Sequence, residues 1–248
     1  MNLKTTIIWV GLLIANMAVA TSAEETWNKL VGQKKLKHSG ELFKFVKNNP
    51  ELPNIFIYGD SISMGYTPGV RKNLDKKANV YRLFRNGGTS RAVIRNFKRL
   101  QEAMTNSKLS DPWKFKWNII TINVGLHDLK YRKNNKPATS IQDYKSNLIK
   151  IIKYFQKTQS QAKLIYVMTT PVPAKSVGRV EGDAVKYNDA AREVLKKYPE
   201  IKICDLYTLT KANHKKWWIK QGNVHYNSSG KLAQAQKVSE AIEAVLEK

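Results

Sequence analysis

A single cysteine, Cys204, is present in the chain, so no disulfide can form within it. It falls in an apolar run, residues 201–206, that is typical of a strand, where we expect it to act as a small buried hydrophobe. The chain also lacks an HExxH motif, a phosphate-binding glycine loop and a GxSxG nucleophile elbow. We therefore expect neither a metal nor a cofactor.

Acidic residues are scarce: 19 Asp and Glu stand against 43 Lys and Arg, which gives a net charge of +24. The excess lysines are spread along the chain and form no basic stripe interleaved with aromatic residues, so nucleic-acid binding is not predicted. Two interpretations remain. One is a generally lysine-rich surface, and the other is attraction to anionic material such as acidic glycans.

Long apolar runs are equally scarce, and the one at the amino terminus is short. Residues 7–20 follow Lys4 and precede small residues at 18–20 and 21–23, a pattern typical of a secretory signal peptide spanning residues 1–23. The run is shorter than the about 20 residues of a membrane-spanning helix. We expect a secreted or periplasmic protein with no stable membrane insertion after cleavage.

Past the leader, residues 24–50 form a polar, lysine-rich segment in which apolar spacing predicts one or two short helices, interrupted near Ser39 and Gly40. Residues 51–248 then predict one domain in which strands alternate with helices. Strands are predicted at 55–58, 79–84, 118–124, 163–169 and 201–206. Helices are predicted at 68–74, 94–104, 140–157, 183–197 and 228–246.

The strands are solid apolar runs, which favours a parallel sheet covered on both faces. The predicted fold class is therefore α/β: a three-layer α/β/α sandwich around a five-stranded parallel sheet of flavodoxin-like order.

Loops after the first three strands should meet at one edge of this sheet. They contain Ser61, the pair Gly87 and Gly88, and His127. A nucleophilic serine needs a base, and the chain has four histidines. His38 and His214 lie in polar, lysine-rich segments and should be solvated, whereas His225 precedes the last helix in a loop that returns to the same edge.

Four segments resemble the sequence blocks of the SGNH (GDSL) hydrolase family. Residues 59–63 (GDSIS) resemble the block that carries the nucleophile, and residues 86–90 (NGGTS) the block whose glycine donates to the oxyanion. Residues 123–128 (NVGLHD) and 223–226 (NVHY) resemble the third and last blocks. The resemblance implies the SGNH hydrolase fold, Ser61 and His225 as the catalytic pair, and an oxyanion hole drawn from Ser61, Gly87, Gly88 and His127.

The chain departs from the family pattern at two positions. His127 stands where the family has asparagine; its ring N–H could donate to the oxyanion, or the residue could be structural. Gly222 stands where the family has the acid that orients the histidine. A backbone carbonyl, an amide side chain or an acid from another loop, such as Asp205, could replace it. Which of the two glycines donates also stays open, because the loop aligns in either register.

The resemblance implies an exported serine esterase that removes acyl groups, most simply acetyl, from carbohydrate. The alternatives are a non-catalytic glycan-binding module on the same fold and a lipase or lysophospholipase. Trp217 and Trp218 could form a sugar-stacking wall or pack under their loop. Arg179 and the neighbouring lysines could bind an anionic group of the substrate or belong to a solvated loop.

Overall fold

A five-stranded parallel sheet forms the centre of the computed structural model, which describes residues 20–132 and 135–247. Its strand order is β2-β1-β3-β4-β5. The strands are β1 (Asn54–Gly59), β2 (Asn79–Arg82), β3 (Ile119–Asn123), β4 (Lys163–Val167) and β5 (Lys202–Cys204). The central strands are buried along almost their whole length, as expected for strands covered on both faces. The predicted α/β fold class is confirmed.

Helices cover the two faces of the sheet. They are α1 (Ala23–Val31), α2 (Gln33–Ser39), α3 (Ser61–Asn73), α4 (Val93–Met104), α5 (Ile141–Thr158), α6 (Asp183–Leu195), α7 (Leu206–Ala212), α8 (His214–Trp217) and α9 (Ser228–Leu246), with 3-10 turns at Gly40–Phe43 and Ser90–Ala92. Helices α3 and α9 pack together over one face, and α5 contacts α4 and α6 on the other. This gives the predicted three layers.

The structure differs from the sequence prediction most at α3, which was expected only over residues 68–74. The helix begins at Ser61, directly after β1, because the Asp60 carboxylate accepts a hydrogen bond from the Ile62 N–H and caps it. Pro68 lies inside the helix rather than at its start. The chain therefore passes from strand to helix at the predicted nucleophile.

The chain after β5 also differs from prediction. The strand ends at Cys204 because Asp205 accepts a hydrogen bond from the Thr208 N–H and starts helix α7, which was not predicted. Cys204 is buried, as expected, and burial raises the pKa of its thiol to about 12.

Residues 1–19 of the predicted signal peptide lie outside the described residues. The segment that follows forms α1, α2 and a 3-10 turn, with a break at Gly32 in addition to the predicted one at Gly40. Trp27 is buried against Trp113, and its ring N–H donates to the Phe43 carbonyl. These residues thus share the hydrophobic core of the domain.

None of the helices within residues 20–132 and 135–247 combines the length and the apolar character needed to cross a bilayer.

Candidate active site

Ser61 is the first residue of α3, at the carboxyl edge of the sheet. Its N–H is one of the first four of the helix, which have no carbonyl partner within the helix and point toward the helix end. The serine side chain is half-buried, and the partial positive charge of a helix N-terminus favours negative charge beside it. Strand, cap and helix together therefore place a hydroxyl and a free backbone donor side by side.

His225 reaches this serine from the loop between α8 and α9. Its Nε2 lies 2.9 Å from Ser61 Oγ, although the two residues are 164 positions apart in sequence. Asn227 caps α9 by accepting from the Gly230 N–H, so the loop is held at the start of that helix. The distance is within hydrogen-bonding range for proton transfer between the two groups.

Asn223 orients the histidine ring. Its Oδ1 lies 2.8 Å from His225 Nδ1 and also accepts the backbone N–H of His225, at 2.9 Å. Because a backbone N–H can only donate, the amide atom between them is the oxygen, and Nδ1 must carry the ring proton. Nε2 then presents its lone pair to Ser61. The amide therefore selects the tautomer that a general base requires.

Asp205, one of the alternatives for the orienting group, is engaged elsewhere. Its carboxylate caps α7 and pairs with Arg192 at 3.0 Å. Of the three kinds of group that the sequence left open, the structure has an amide side chain beside the ring. Nothing in the family pattern marks Asn223, because the acid it replaces is expected at position 222, one residue earlier.

The two glycines of the second block have different environments. The Gly87 N–H donates to the Gly59 carbonyl at 3.0 Å and so ties its loop to the end of β1. The Gly88 N–H donates to the side chain of Asn86, and a Cβ built at Gly88 would meet no atom within 4 Å. Gly88 also has φ +68°, which favours glycine. Both N–H groups are therefore hydrogen-bonded, but Gly88 borders open space, whereas a Cβ at Gly87 would lie 2.7 Å from the Gly59 carbonyl oxygen.

His127 is half-buried after β3, close enough to His225 and Arg179 for their charges to act on its ring. Burial first, and then the charges of Arg179, Lys130 and His225, lower its pKa. Near neutral pH its ring is therefore uncharged and retains one N–H that can donate.

The two aspartates of the blocks brace their loops. Asp60 caps α3, and Asp128 accepts from both the N–H and the hydroxyl of Ser90, which joins the second and third blocks. Burial raises the pKa of Asp60 to about 7, although the hydrogen bond from Ile62 and the charge of Arg179 oppose the shift.

Residues 55–238 match a family model described as GDSL-like Lipase/Acylhydrolase. The chain belongs to this family. The resemblance seen in the four blocks is thereby confirmed, and ester hydrolysis is the activity that the family name carries. No curated protein matches the chain.

Solved structures share the fold of this GDSL-like protein at low sequence identity. The lipase/acylhydrolase of Enterococcus faecalis superposes with a TM-score of 0.59 at 15% identity, covering 77% of this chain and 96% of that one. The acetyl xylan esterase AlAXEase gives 0.60 at 17% identity, covering 76% and 99%. The C-terminal catalytic domain of peptidoglycan O-acetyltransferase A from Streptococcus pneumoniae gives 0.52 at 19%, covering 79% and 96%. At these identities the likeness is one of fold.

One sequence expectation around the last block needs correction. His214 is not solvated: its ring packs against Trp218 and Tyr226, with centroids 4.3 and 5.9 Å away, and burial lowers its pKa to about 4. The lysine-rich sequence around His214 gives no sign of this, because it does not show that the ring packs against Trp218 and Tyr226. His38, in contrast, is exposed as expected.

Trp217 and Trp218 pack under the loop of this GDSL-like protein rather than forming an open wall. Both are half-buried against the core, and a Cβ at Gly230 would lie 2.9 Å from Trp217 Cβ. Of their two interpretations, the geometry favours packing. Within the described parts of the chain, no three His, Cys, Asp or Glu side chains are grouped closely enough to hold a metal.

Proposed function

We propose that this protein is an exported serine esterase that removes acyl groups, most simply acetyl, from carbohydrate through Ser61 and His225. The observation that carries the proposal is the 2.9 Å contact between His225 Nε2 and Ser61 Oγ, with the ring tautomer set by Asn223. A serine and a correctly protonated histidine at the start of a helix form the arrangement that acyl transfer needs.

In the first half of the reaction, His225 Nε2 takes the Ser61 proton while Oγ attacks the ester carbonyl. The ring becomes positively charged, and the amide oxygen of Asn223 stabilises the Nδ1–H without adding a negative charge. As the ester C–O bond breaks, His225 gives this proton to the departing sugar oxygen, which leaves as a hydroxyl, and the acyl group stays on Ser61.

Three donors are available for the oxyanion formed in this step. They are the N–H of Ser61, the N–H of Gly88 once the Asn86 side chain releases it, and a ring N–H of His127. Donors of this kind are typically worth about 2.7–4 kcal/mol each in the barrier. In the second half, His225 activates a water molecule that hydrolyses the acyl-enzyme.

A glycan substrate is favoured over a lipid by the surface beside the pair. The groove next to His225 is lined mostly by charged and polar side chains, among them Arg179, Gln221 and Asn223. A lipase would instead present an apolar groove to the acyl chain. The acetyl xylan esterase among the structural neighbours is consistent with this choice.

Export is part of the proposal, and the structure favours one of the two predicted cleavage sites. Ser22 caps α1 in a capping box with Glu25, and the Ala23 N–H donates to Asp111 at 2.7 Å. Cleavage after Ala23 would remove this cap, whereas cleavage after Ala20 would keep it. We therefore expect the mature chain to begin at Thr21, which the intact mass of the secreted protein would test.

The proposed activity is tested by acetate release from a small activated ester and from acetylated polysaccharides. We compare the wild type with Ser61→Ala and His225→Ala. Loss of at least about 1,000-fold in kcat for both variants is expected, because serine and histidine act as one unit. Equal release by all three proteins would overturn the mechanism. Binding of acetylated glycan without any turnover would support the non-catalytic module instead.

A further inference from the structure

A groove of about 420 Å³ lies directly beside the catalytic pair and includes His225 and Asn223 in its wall. It is bounded by the loop after β4 and the loop before α9. Four of its lining residues are cations, namely Lys130, Lys175, Arg179 and Lys220, and none is acidic. The groove is large enough for a sugar unit next to the scissile ester.

These four cations have no acidic partner in an ion pair among residues 20–132 and 135–247, where the ion pairs of the protein involve other side chains. Two other surface depressions, of about 490 and 300 Å³, contain acids beside their lysines: Asp111 in the first, and Glu41 with Asp75 in the second. Of these three depressions, the groove beside the active site is the one whose lining combines several cations with no acid.

Contacts between the loops that line the groove hold it in shape. The Arg179 Nε donates to the Leu126 carbonyl at 3.0 Å, which fixes the guanidinium beside the third block. Lys175 has φ +62°, and a Cβ at Gly222 would lie only 2.8 Å from the Lys175 carbonyl oxygen, so the two loops are in contact. The stem of Lys130 lies across Gly178, and the Tyr131 N–H bonds to the Gly178 carbonyl. A fixed frame lets several cations converge on one ligand group at low entropic cost.

We propose that this groove binds a negatively charged sugar unit, a uronate or a sulfated sugar, next to the acylated one, so that the substrate is an acidic glycan. The inference rests on the proposed esterase function and names its substrate class. Arg179 supplies a planar fork that matches a carboxylate or a sulfate, and the three lysines add mobile point charges. Ser176, Gln221 and Asn223 supply polar atoms that suit sugar hydroxyls.

The same charges act on the catalytic histidine. After burial, Arg179 is the next largest cause that lowers the pKa of His225, and it acts in the same direction on His127. An acidic sugar bound in the groove would offset part of this field. The charge in the groove thus acts on the pKa of the histidine that is the proposed base.

A kinetic comparison tests the proposal. kcat/KM is measured with acetylated oligogalacturonate and with acetylated xylo-oligosaccharide, and the ratio of the two values is the readout. Charge reversal by Lys175→Glu with Lys220→Glu is expected to lower the ratio about tenfold or more, since like charges then face the uronate. For the wild type the ratio should also fall between about 0.05 and 0.5 M salt, because the screening length shortens.

The matched control is Lys153→Glu with Lys157→Glu on the exposed side of α5. It makes the same change in net charge far along a helix that leads away from the site. If the ratio falls equally in the control, the effect comes from overall charge, and the proposed role of the groove is overturned. If both substrates are turned over and neither pair of substitutions changes the ratio, the proposed role of the groove is also overturned, while the esterase function stands.

A binding experiment keeps the two proposals distinguishable if no turnover is found. Ser61→Ala is titrated with galacturonate tetramer, with a dextran sulfate oligosaccharide and with neutral xylotetraose. If either acidic ligand binds, and the binding is lost in the Lys175→Glu and Lys220→Glu variant, the result supports the groove as the binding site. The acidic ligand with the higher affinity shows whether the groove prefers a carboxylate or a sulfate. Equal affinity for all three ligands would overturn it.

Discussion

At the scale of single residues, the site depends on an amide where a carboxylate is the common solution. Asn223 fixes the ring of His225 through two hydrogen bonds to one oxygen. A neutral partner orients the imidazole but stabilises the imidazolium formed in the reaction less than an anion would. The proposed site therefore combines the geometry of a catalytic triad with a third member that carries no charge.

Replacing Asn223 with aspartate should raise activity. A carboxylate beside Nδ1 stabilises the charged ring, so we expect kcat near pH 8 to rise about tenfold and the acid limb of the pH profile to move up by about one unit. Asn223→Ala should instead lower kcat, by about 10- to 100-fold, because the ring loses its tautomer and orientation. Initial rates from about pH 5 to 9 measure both effects.

Asn106→Asp is the control for this substitution. Asn106 accepts the N–H of the residue two positions on, Lys108, in a similar local turn that is exposed and unconnected to the site. The control profile should overlay that of the wild type. An Asn223→Asp enzyme that is slower than the wild type, with its profile unmoved, would contradict the orienting role.

The acid limb of the wild-type profile should lie below the ordinary histidine value of about 6.5. Burial, then Arg179, then Lys231 lower the pKa of His225, so the ring stays neutral and active to a lower pH than a free histidine would. Lys231→Glu removes one of these causes and should move the limb up by about 0.3–0.5 units.

Lys237→Glu, about 9 Å further along α9, is the control and should leave the acid limb of the pH profile in place. A wild-type limb at or above about 6.5 would mean that His225 is not the titrating base.

At the scale of elements, the helix that begins at Ser61, α3, packs closely on α9. A Cβ at Gly69 would lie 2.5 Å from Ala235 Cβ, which is less than any real contact, whereas one at Gly65 would meet only the flexible side chain of Lys231 at 3.4 Å. Both glycines lie inside the same helix. Alanine substitutions at these two positions therefore distinguish the effect of close packing on stability from the effect of helix propensity.

We expect Gly69→Ala to lower the free energy of unfolding by about 1–3 kcal/mol through overpacking. Gly65→Ala should raise it by up to about 1 kcal/mol, because alanine is the better helix former. Denaturant unfolding measures both. Ala235→Gly combined with Gly69→Ala should recover part of the loss, and the absence of any recovery would show that the contact is not the cause.

At the scale of the whole molecule, the buried ring of His214 makes stability depend on pH. Its pKa is about 4 in the folded chain and about 6.5 when unfolded, so between these values the unfolded chain binds more protons. Stability from this group is fully present above about 6.5 and is lost as the pH falls toward 4.

His214→Phe keeps an aromatic ring against Trp218 and Tyr226 but cannot be protonated. The variant should therefore lose less stability than the wild type between about pH 6.5 and 4.5, by about 1–2 kcal/mol after allowing for the exposed part of the ring. Denaturant midpoints at several pH values measure the difference. His38→Phe, at an exposed position, should follow the wild type, and an identical slope in all three proteins would refute the role of His214.

Local patterns in the sequence were sufficient to predict much of the fold and part of the candidate site. Apolar runs predict all five strands of the sheet, and the order of the four blocks predicts that Ser61 and His225 share one edge. These inferences succeed because strand burial and loop position follow from short-range hydrophobicity and from the topology of parallel sheets. The start of α3 was missed because a single cap, Asp60, overrides the glycine and proline signals that follow it.

The tertiary structure alone decided which neighbours each functional group has. Asn223 rather than Asp205 orients His225, Gly88 rather than Gly87 has an open backbone, and His214 turns inward from a lysine-rich segment. Each outcome depends on where a loop passes relative to residues far away in sequence. The cationic groove has the same origin, because its charges come from three separate segments that meet only when the sheet brings their loops together.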